Sequence, residues 1–313
     1  MRILVTGGAG FIGANLCRRL LTTPEVGHVA VLDDLSTGAK SNLDGLDVEL
    51  VVGSILDAEL VRGLVDGADS VVHLGARPSV PRSIQDPMAS HMVNATGTMT
   101  VLEAARLCGQ PQVIVASSSS VYGANPVLPK REDLASRPLS PYAASKLATE
   151  AYALAYGHSF GLPTLAFRFF NVFGPLQAAN HAYAAVVPSF VDAALSGRPL
   201  TIHGDGTQSR DFTFVDSVTA VIARAITGRV AHAEPVNLAF GTRTTLLELI
   251  SVIESILGHE VAREHADART GDVAHSQADS TALEGLFPGM PPVAFPEAVR
   301  RTVDWFRSVS QPR

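Results

Sequence analysis

The sequence predicts a doubly wound α/β fold, with a parallel sheet covered by helices on both faces and a smaller C-terminal lobe. Three observations carry that prediction. Short apolar runs alternate with helix-like stretches through the N-terminal half, the order that builds parallel sheets. The runs are continuously rich in Val, Ile and Leu, the pattern of strands buried on both faces. Gly7, Gly10 and Gly13 follow the first run at a three-residue spacing and lead into the first helix.

In chain order, the strand candidates are residues 3–6, 29–33, 48–52, 70–74, 112–117 and 164–169. Between them, helical patterns cover 11–21, 57–65, 89–107 and 141–159. The second half is punctuated by Gly174-Pro175, Gly197-Arg198-Pro199, Gly204-Asp205-Gly206 and the Pro/Gly-rich stretch 288–292. A chain of 313 residues is long for one core. The division predicted is 1–172 as a dinucleotide-binding domain, with returning segments around 210–245, and 173–313 mainly as a substrate lobe. Residues 246–257 carry apolar positions at helical spacing and read as core packing.

Composition removes several classes. The formal net charge is −6 and no basic run occurs, which argues against a nucleic-acid partner. Two cysteines, Cys17 and Cys108, without a CxxC pair exclude a disulfide framework and a cysteine zinc site. His232, His259 and His265 lack ligand spacing, so no metal site is expected. No apolar run approaches the roughly 18 residues that a bilayer demands. The chain opens on the strand-like run RILVTG, which predicts no secretory leader and a cytoplasmic protein.

The first loop, TGGAGFIG, reads as a phosphate cradle. Gly7 permits the tight turn, Gly10 lets backbone N–H groups approach a pyrophosphate, and Gly13 lets the helix pack closely on the sheet. Phe11 and Ile12 complete the loop's helix start. About 20 residues on, the second strand ends at Asp33, whose carboxylate suits the two hydroxyls of an adenosine ribose. The same charge repels a 2′-phosphate, so NAD is favoured over NADP.

The stretch SPYAASK places Tyr142 and Lys146 one helical turn apart on one face. Ser140 is a good N-cap and Pro141 a good first helical residue. Taken alone, the pair fits a solvated surface or an acid/base couple. A free phenol titrates near 10, and a neighbouring ammonium with a cationic nicotinamide ring would lower it. Upstream, Ser117 to Ser120 place four hydroxyls at the end of a buried strand, facing the ligand crevice of a parallel sheet.

The GxxGxxG loop together with the later Tyr-x-x-x-Lys resembles the short-chain dehydrogenase/reductase superfamily. The wording TGGAGFIG and the length resemble its extended branch, which has a Rossmann-like fold and acts on nucleotide sugars. The likeness runs almost the whole chain: HLGARPSVPRS at 73–83, the helix around Asn94, RFFNVFGP at 168–175, GDGTQSRDFTFVD at 204–216 and RTGD at 269–272. Gly75, Arg77, Pro78 and Thr270 depart from the commonest wording. The resemblance implies Tyr142 as catalytic base, Ser118 as the hydroxyl on the reacting oxygen, and Lys146 holding the nicotinamide ribose. It implies Asn171 on the substrate, with Arg210 and Arg269 as clamps on the nucleotide diphosphate, a task suited to forked guanidiniums.

Within that family the reaction opens with Tyr142 taking the 4-hydroxyl proton while NAD⁺ takes hydride from C4. A 4,6-dehydratase would carry Asp-Glu where this chain has Ser119 and Ser120, and a decarboxylase would carry Glu at the second position. Those carboxylates are missing, so the resemblance implies a UDP-sugar 4-epimerase of the UDP-glucose type working through a 4-keto intermediate. Ser276 falls where a bulky aromatic excludes 2-acetamido sugars in some relatives, which leaves room for UDP-N-acetylglucosamine. The hydroxyls of Ser119 and Ser120 also suit the C6 carboxylate of UDP-glucuronate. A nucleotide-sugar dehydratase or reductase and a non-catalytic NAD-binding module are the remaining alternatives. Helices 89–107 and 141–159 resemble those that pair subunits in the family, which implies a homodimer.

Overall fold

The apolar runs pair into one seven-stranded parallel sheet in the computed structural model, which describes residues 1–179, 184–267 and 274–310. The first six strands are β1 (Arg2–Thr6), β2 (His28–Asp33), β3 (Glu49–Val52), β4 (Ser70–His73), β5 (Gln112–Ser118) and β6 (Thr164–Phe169). Val236–Leu238 is the seventh and pairs with β6. The spatial order runs from Val236–Leu238 through β6, β5, β4 and β1 to β2 and β3. The order in which the strands are laid down reverses between β1 and β4, where the carboxyl ends of parallel strands open a crevice for ligand.

The helices are α1 (Phe11–Leu20), α2 (Ala58–Val65), α3 (Val80–Gln85), α4 (Pro87–His91), α5 (Gly97–Leu107) and α6 (Pro141–Phe160). After them come α7 (Val186–Leu195), α8 (Val215–Thr227), α9 (Leu246–Leu257), α10 (Thr281–Leu286) and α11 (Phe295–Ser310). One face of the sheet packs apolar residues of α1, α8 and α10 against Val5, Val31, Ile114 and Phe167. The other packs α2, α5 and α6 against Leu4, Leu32, Val71 and Val113. A separate core joins α7, α9 and α11 around Phe173, Phe212 and Phe214. Residues 215–238 return from that region to the main sheet.

Two expectations, one strand and one helix, need correction. The 48–52 run was read as buried on both faces, but β3 is the sheet edge and Val52 is 60% exposed. Among the described residues no strand pairs with its outer side. The single helix expected at 89–107 is instead α4, a wider π-type turn at Met92–Thr96, and α5. Asp86 starts α4 by accepting the Ala89 N–H at 3.0 Å. The turn at 92–96 carries Asn94, whose side chain bonds across to Ser145 on α6 and to the Arg77 backbone.

Local chemistry sets the ends of α6 and α9. Ser140 caps α6 by accepting the Ala143 N–H at 3.1 Å, with Pro141 in its first turn. Gly161 ends α6 in the left-handed region at φ 69°. Thr245 and Glu248 form a reciprocal capping box on α9, an arrangement of about 1 kcal/mol.

Candidate active site

The glycine loop runs from the end of β1 to the start of α1. Gly7 has φ +70°, and a Cβ there would lie 2.7 Å from the Gly75 nitrogen. A Cβ on Gly13 would lie 2.2 Å from the Gly7 carbonyl oxygen. Side chains at either position would fill the space where the backbone turns, so the cradle depends on their absence. Phe11 and Ile12 open α1, where free N–H groups present a positive end to an anion.

Asp33 ends β2 and is buried. Its Oδ2 accepts the Ala9 N–H and its Oδ1 the Leu35 N–H, each at 2.9 Å. Burial pushes its carboxyl above the usual range, and the two backbone bonds act against that rise. Asp33 therefore ties the glycine loop to β2, a second task that the sequence reading missed. Each carboxylate oxygen keeps acceptor capacity for ribose hydroxyls. The loop, the α1 start and Asp33 together fit a dinucleotide.

At the other side of the crevice, α6 lies along β5 and β6. Lys146 is buried and donates from Nζ to the Ala116 carbonyl at 2.8 Å. Burial lowers its ammonium to about 8. The half-buried Tyr142 lies against Ser118, at the end of β5, whose hydroxyl favours the phenolate. Ser118 Oγ accepts from Ser120 Oγ at 2.9 Å and from Ser120 N at 3.2 Å. With those lone pairs used, its own proton is free to point at the phenol oxygen. Ser119 is half-buried in the turn between them.

The phenol corrects one expectation. Lys146 and a cationic nicotinamide ring were expected together to lower the Tyr142 pKa; the polypeptide by itself raises it. Burial penalises the phenolate, and only the Ser118 bond acts the other way. The Lys146 ammonium is meanwhile directed at a backbone carbonyl.

A buried polar chain, not foreseen from the sequence, joins the two sides. Thr6 Oγ1 meets His73 Nδ1 at 2.8 Å, and His73 Nε2 meets Thr98 Oγ1 at 3.1 Å. Burial drives the His73 imidazolium down to about 3, so the ring is neutral. Thr6 Oγ1 accepts the Gly75 N–H, which directs its own proton toward His73 Nδ1. Thr98 and Thr149 both donate to the Asn94 carbonyl, while Asn94 Nδ2 donates to Ser145 Oγ at 2.9 Å. Ser145 then donates to the Tyr142 carbonyl at 2.8 Å.

A cavity of about 480 Å³ opens in the C-terminal half, lined by Asn171, Phe190, His203, Gln208, Arg210 and Leu246 among others. Asn171 sits at φ 33° and donates weakly to the Asp211 carbonyl at 3.4 Å. Arg210 donates to the Ser209 and Ala274 carbonyls at 3.0 and 3.2 Å. Ser276 joins the same segment, its N–H donating to the Ser209 carbonyl at 3.0 Å. The structure thus brings Asn171 and Arg210 to one cavity, with Ser276 beside Arg210. Ser118, Tyr142 and Lys146 do not line that cavity. Arg269 lies outside the described residues, as do residues 180–183 of the loop after Gln177.

Asp211 is a further residue that the sequence reading passed over. It is fully buried and accepts from Thr242 Oγ1 at 2.8 Å and Ala278 N at 3.1 Å. It fastens the strand carrying Arg210 to the segments at 242 and 278. Its signal was its place directly after Arg210 inside the SRDF wording. Among the described residues no cluster of His, Cys, Asp and Glu suits a metal. No helix among them is long and apolar enough to cross a membrane.

A glycine cradle at the first strand–helix turn, with Ser118, Tyr142 and buried Lys146 gathered where β5 meets α6, defines a dinucleotide-dependent enzyme of the extended short-chain dehydrogenase/reductase class. The model of the NAD dependent epimerase/dehydratase family matches residues 3–239, and the chain belongs to that family. NAD is accordingly its cofactor. It is 40% identical to a UDP-glucose 4-epimerase of Mycolicibacterium smegmatis, over 99% of this chain and 100% of the relative. Its fold superposes on a UDP-N-acetylglucosamine 4-epimerase from Methanobrevibacter ruminantium, solved with UDP-N-acetylmuramic acid (TM-score 0.93, 34% identity, 98% of each chain). It superposes equally on a UDP-glucuronic acid 4-epimerase from Bacillus cereus with UDP-glucuronic acid and NAD (TM-score 0.90, 30% identity, 99% and 100% coverage).

Proposed function

We propose that this protein is an NAD-dependent UDP-sugar 4-epimerase, of the UDP-glucose/UDP-galactose type, that inverts C4 through a 4-keto sugar. The observation that carries the reading is Tyr142 set against Ser118 beside buried Lys146, with only hydroxyls at Ser119 and Ser120. That set can move one proton at one oxygen. It holds no carboxylate at the two positions where elimination or decarboxylation would need an acid.

Gly7, Gly10, Phe11, Ile12, Gly13 and Asp33 would hold NAD, with Lys146 on its nicotinamide ribose. When bound, NAD accepts hydride from the sugar and returns it. Tyr142 takes the 4-hydroxyl proton and later gives it back. Ser118 donates to the reacting oxygen and keeps it in line with the phenol. Ser118 favours the phenolate that burial opposes, and the Lys146 ammonium together with the cationic ring of bound NAD would add to it. Asn171, Arg210 and Arg269 would hold the nucleotide end while the keto sugar turns over. On this reading residues 1–172, with the returning segments around 210–245, form the NAD domain and 173–313 mainly the substrate lobe.

A second reading, UDP-glucuronate as substrate, rests on Ser119 and Ser120, which stand half-buried beside Ser118 as donors for a carboxylate. UDP-N-acetylglucosamine fits the small side chain at Ser276. Proton NMR of the purified protein with each UDP sugar in turn, without added NAD, tests the reading. The expected result is the anomeric signal of the C4 epimer with one of them; silence with all three rejects it.

A further inference from the structure

Next to the Ser118–Tyr142–Lys146 cluster lies a buried ion pair that the chemistry above does not use. Glu150 sits on α6 one turn beyond Lys146. Arg168 on β6 grips it with two parallel bonds, Nη2 to Oε1 at 2.6 Å and Nε to Oε2 at 2.9 Å. Both side chains are only 4% exposed. Glu150 Oε2 also accepts from Ser117 Oγ at 2.9 Å, and that hydroxyl lies 3.3 Å from the Lys146 carbonyl. Ser117 and Arg168 are register partners across β5 and β6, one step before Ser118 and Phe169. The pair therefore joins α6, β5 and β6 at the level adjoining the reactive hydroxyl. Buried ion pairs add little net stability over apolar replacements. Stability alone does not account for a charged pair at this position.

The surrounding charges are few. His73 on β4 is neutral. The Tyr122 ring lies under the guanidinium, 4.7 Å from Arg168 Cζ, and the Glu132 carbonyl accepts from Arg168 Nη1, while the Glu132 carboxylate accepts the Asn237 N–H and its charge opposes ionisation of the Tyr122 phenol. Of the helices packed on α6, α3 carries Arg82 and α4 carries His91, with Asp86 at its cap joined to Arg77. On α5, Glu103 and Arg106 pair with each other near Tyr156.

We propose that Glu150 and Arg168 are positioning residues that fix α6 against the sheet and hold the net charge behind Tyr142 and Lys146 near zero. This rests on the epimerase reading. Tyr142 and Glu150 are separated by eight residues, about 12 Å along a helix. At an effective dielectric near 20, one uncompensated charge at that distance moves a phenol by about one pH unit. Removing the carboxylate leaves the permanent guanidinium charge, which favours the phenolate. Removing the guanidinium leaves the carboxylate, which opposes it.

The test is the pH dependence of kcat for the UDP sugar that the wild-type protein turns over. Glu150→Gln should shift the acid limb down by about one pH unit, and Arg168→Gln should shift it up. The double variant, neutral again, should return the limb to its wild-type position. Ser117→Ala, which keeps both charges, should lower kcat with the limb in place. If one single variant does not fold, the other and the double carry the comparison. Single variants with an unshifted limb, or a double variant shifted like a single, overturn the proposal. Absence of turnover by the wild-type protein overturns the epimerase reading and this proposal with it.

Discussion

Lys146 is where the site pays most in stability. Its ammonium is buried and lowered from 10.5 to about 8, so at pH 7 the fold carries a charge that burial opposes. The folded value lies below the unfolded one, so the unfolded chain binds more protons between about pH 8 and 10.5 and stability rises with pH there. Lys146→Met should therefore stabilise the fold at pH 7 by about 1–3 kcal/mol while abolishing turnover, read by thermal melting and kcat. A lowered melting temperature would show that the bond to Ala116 outweighs the burial cost. The same titration places an alkaline limb near pH 8 in kcat, because only protonated Lys146 favours the phenolate. Tyr142→Phe should lower kcat by about 10² to 10⁴ at every pH, since no neighbouring carboxylate replaces the phenol. These residues were legible because Tyr-x-x-x-Lys needs only a helix to bring its members together. The rise in the Tyr142 pKa was not legible, since burial belongs to the packed site and not to the spacing.

At the level of elements, the glycine loop makes the sharpest prediction. A methyl group on Gly13 would meet the Gly7 carbonyl at 2.2 Å, backbone against side chain with no flexible atom to yield. Gly13→Ala should purify with bound NAD strongly reduced, measured as cofactor released on denaturation; full occupancy would contradict the cradle. The six N-terminal strands were legible to within one or two residues at each end, five of them because strands buried in a parallel sheet must be apolar throughout, and edge strand β3 because its run is apolar although partly exposed. The interruption of the 89–107 helix was not. Its cause is Asn94 reaching Ser145, 51 positions on, and local periodicity carries no trace of such a partner. The Asp86 cap, followed at once by Pro87, was a visible signal for the start of α4. For the same reason the polar chain through His73 was hidden, since its members come from β1, β4, α5 and α6.

At the scale of the whole molecule, the segment from α3 to α6 leaves several apolar side chains in solvent. Ile84, Met88, Met92, Met99 and Tyr152 are between 37% and 67% exposed. Exposed apolar groups on helices expected to pair subunits make the homodimer testable. Light scattering should give twice the chain mass at micromolar concentration, and Met88→Asp with Met92→Asp should return it to the monomer. A monomer mass for the unaltered protein would contradict the pairing. At this scale the sequence was least informative about the lobe, where glycine and proline mark turns without saying which strands meet. The pairing of Thr244–Thr245 with Ser209–Arg210 and the buried Asp211 anchor emerge only from the folded chain.

The central claim is that one retained cofactor oxidises and then reduces the same carbon. It is tested most directly with a UDP sugar deuterated at C4, incubated with the purified protein and no added NAD. The account predicts a C4-inverted product that keeps its deuterium, because the hydride taken is the hydride returned. An inverted product that has lost the label to solvent, or turnover that demands added NAD or NADH, would contradict it.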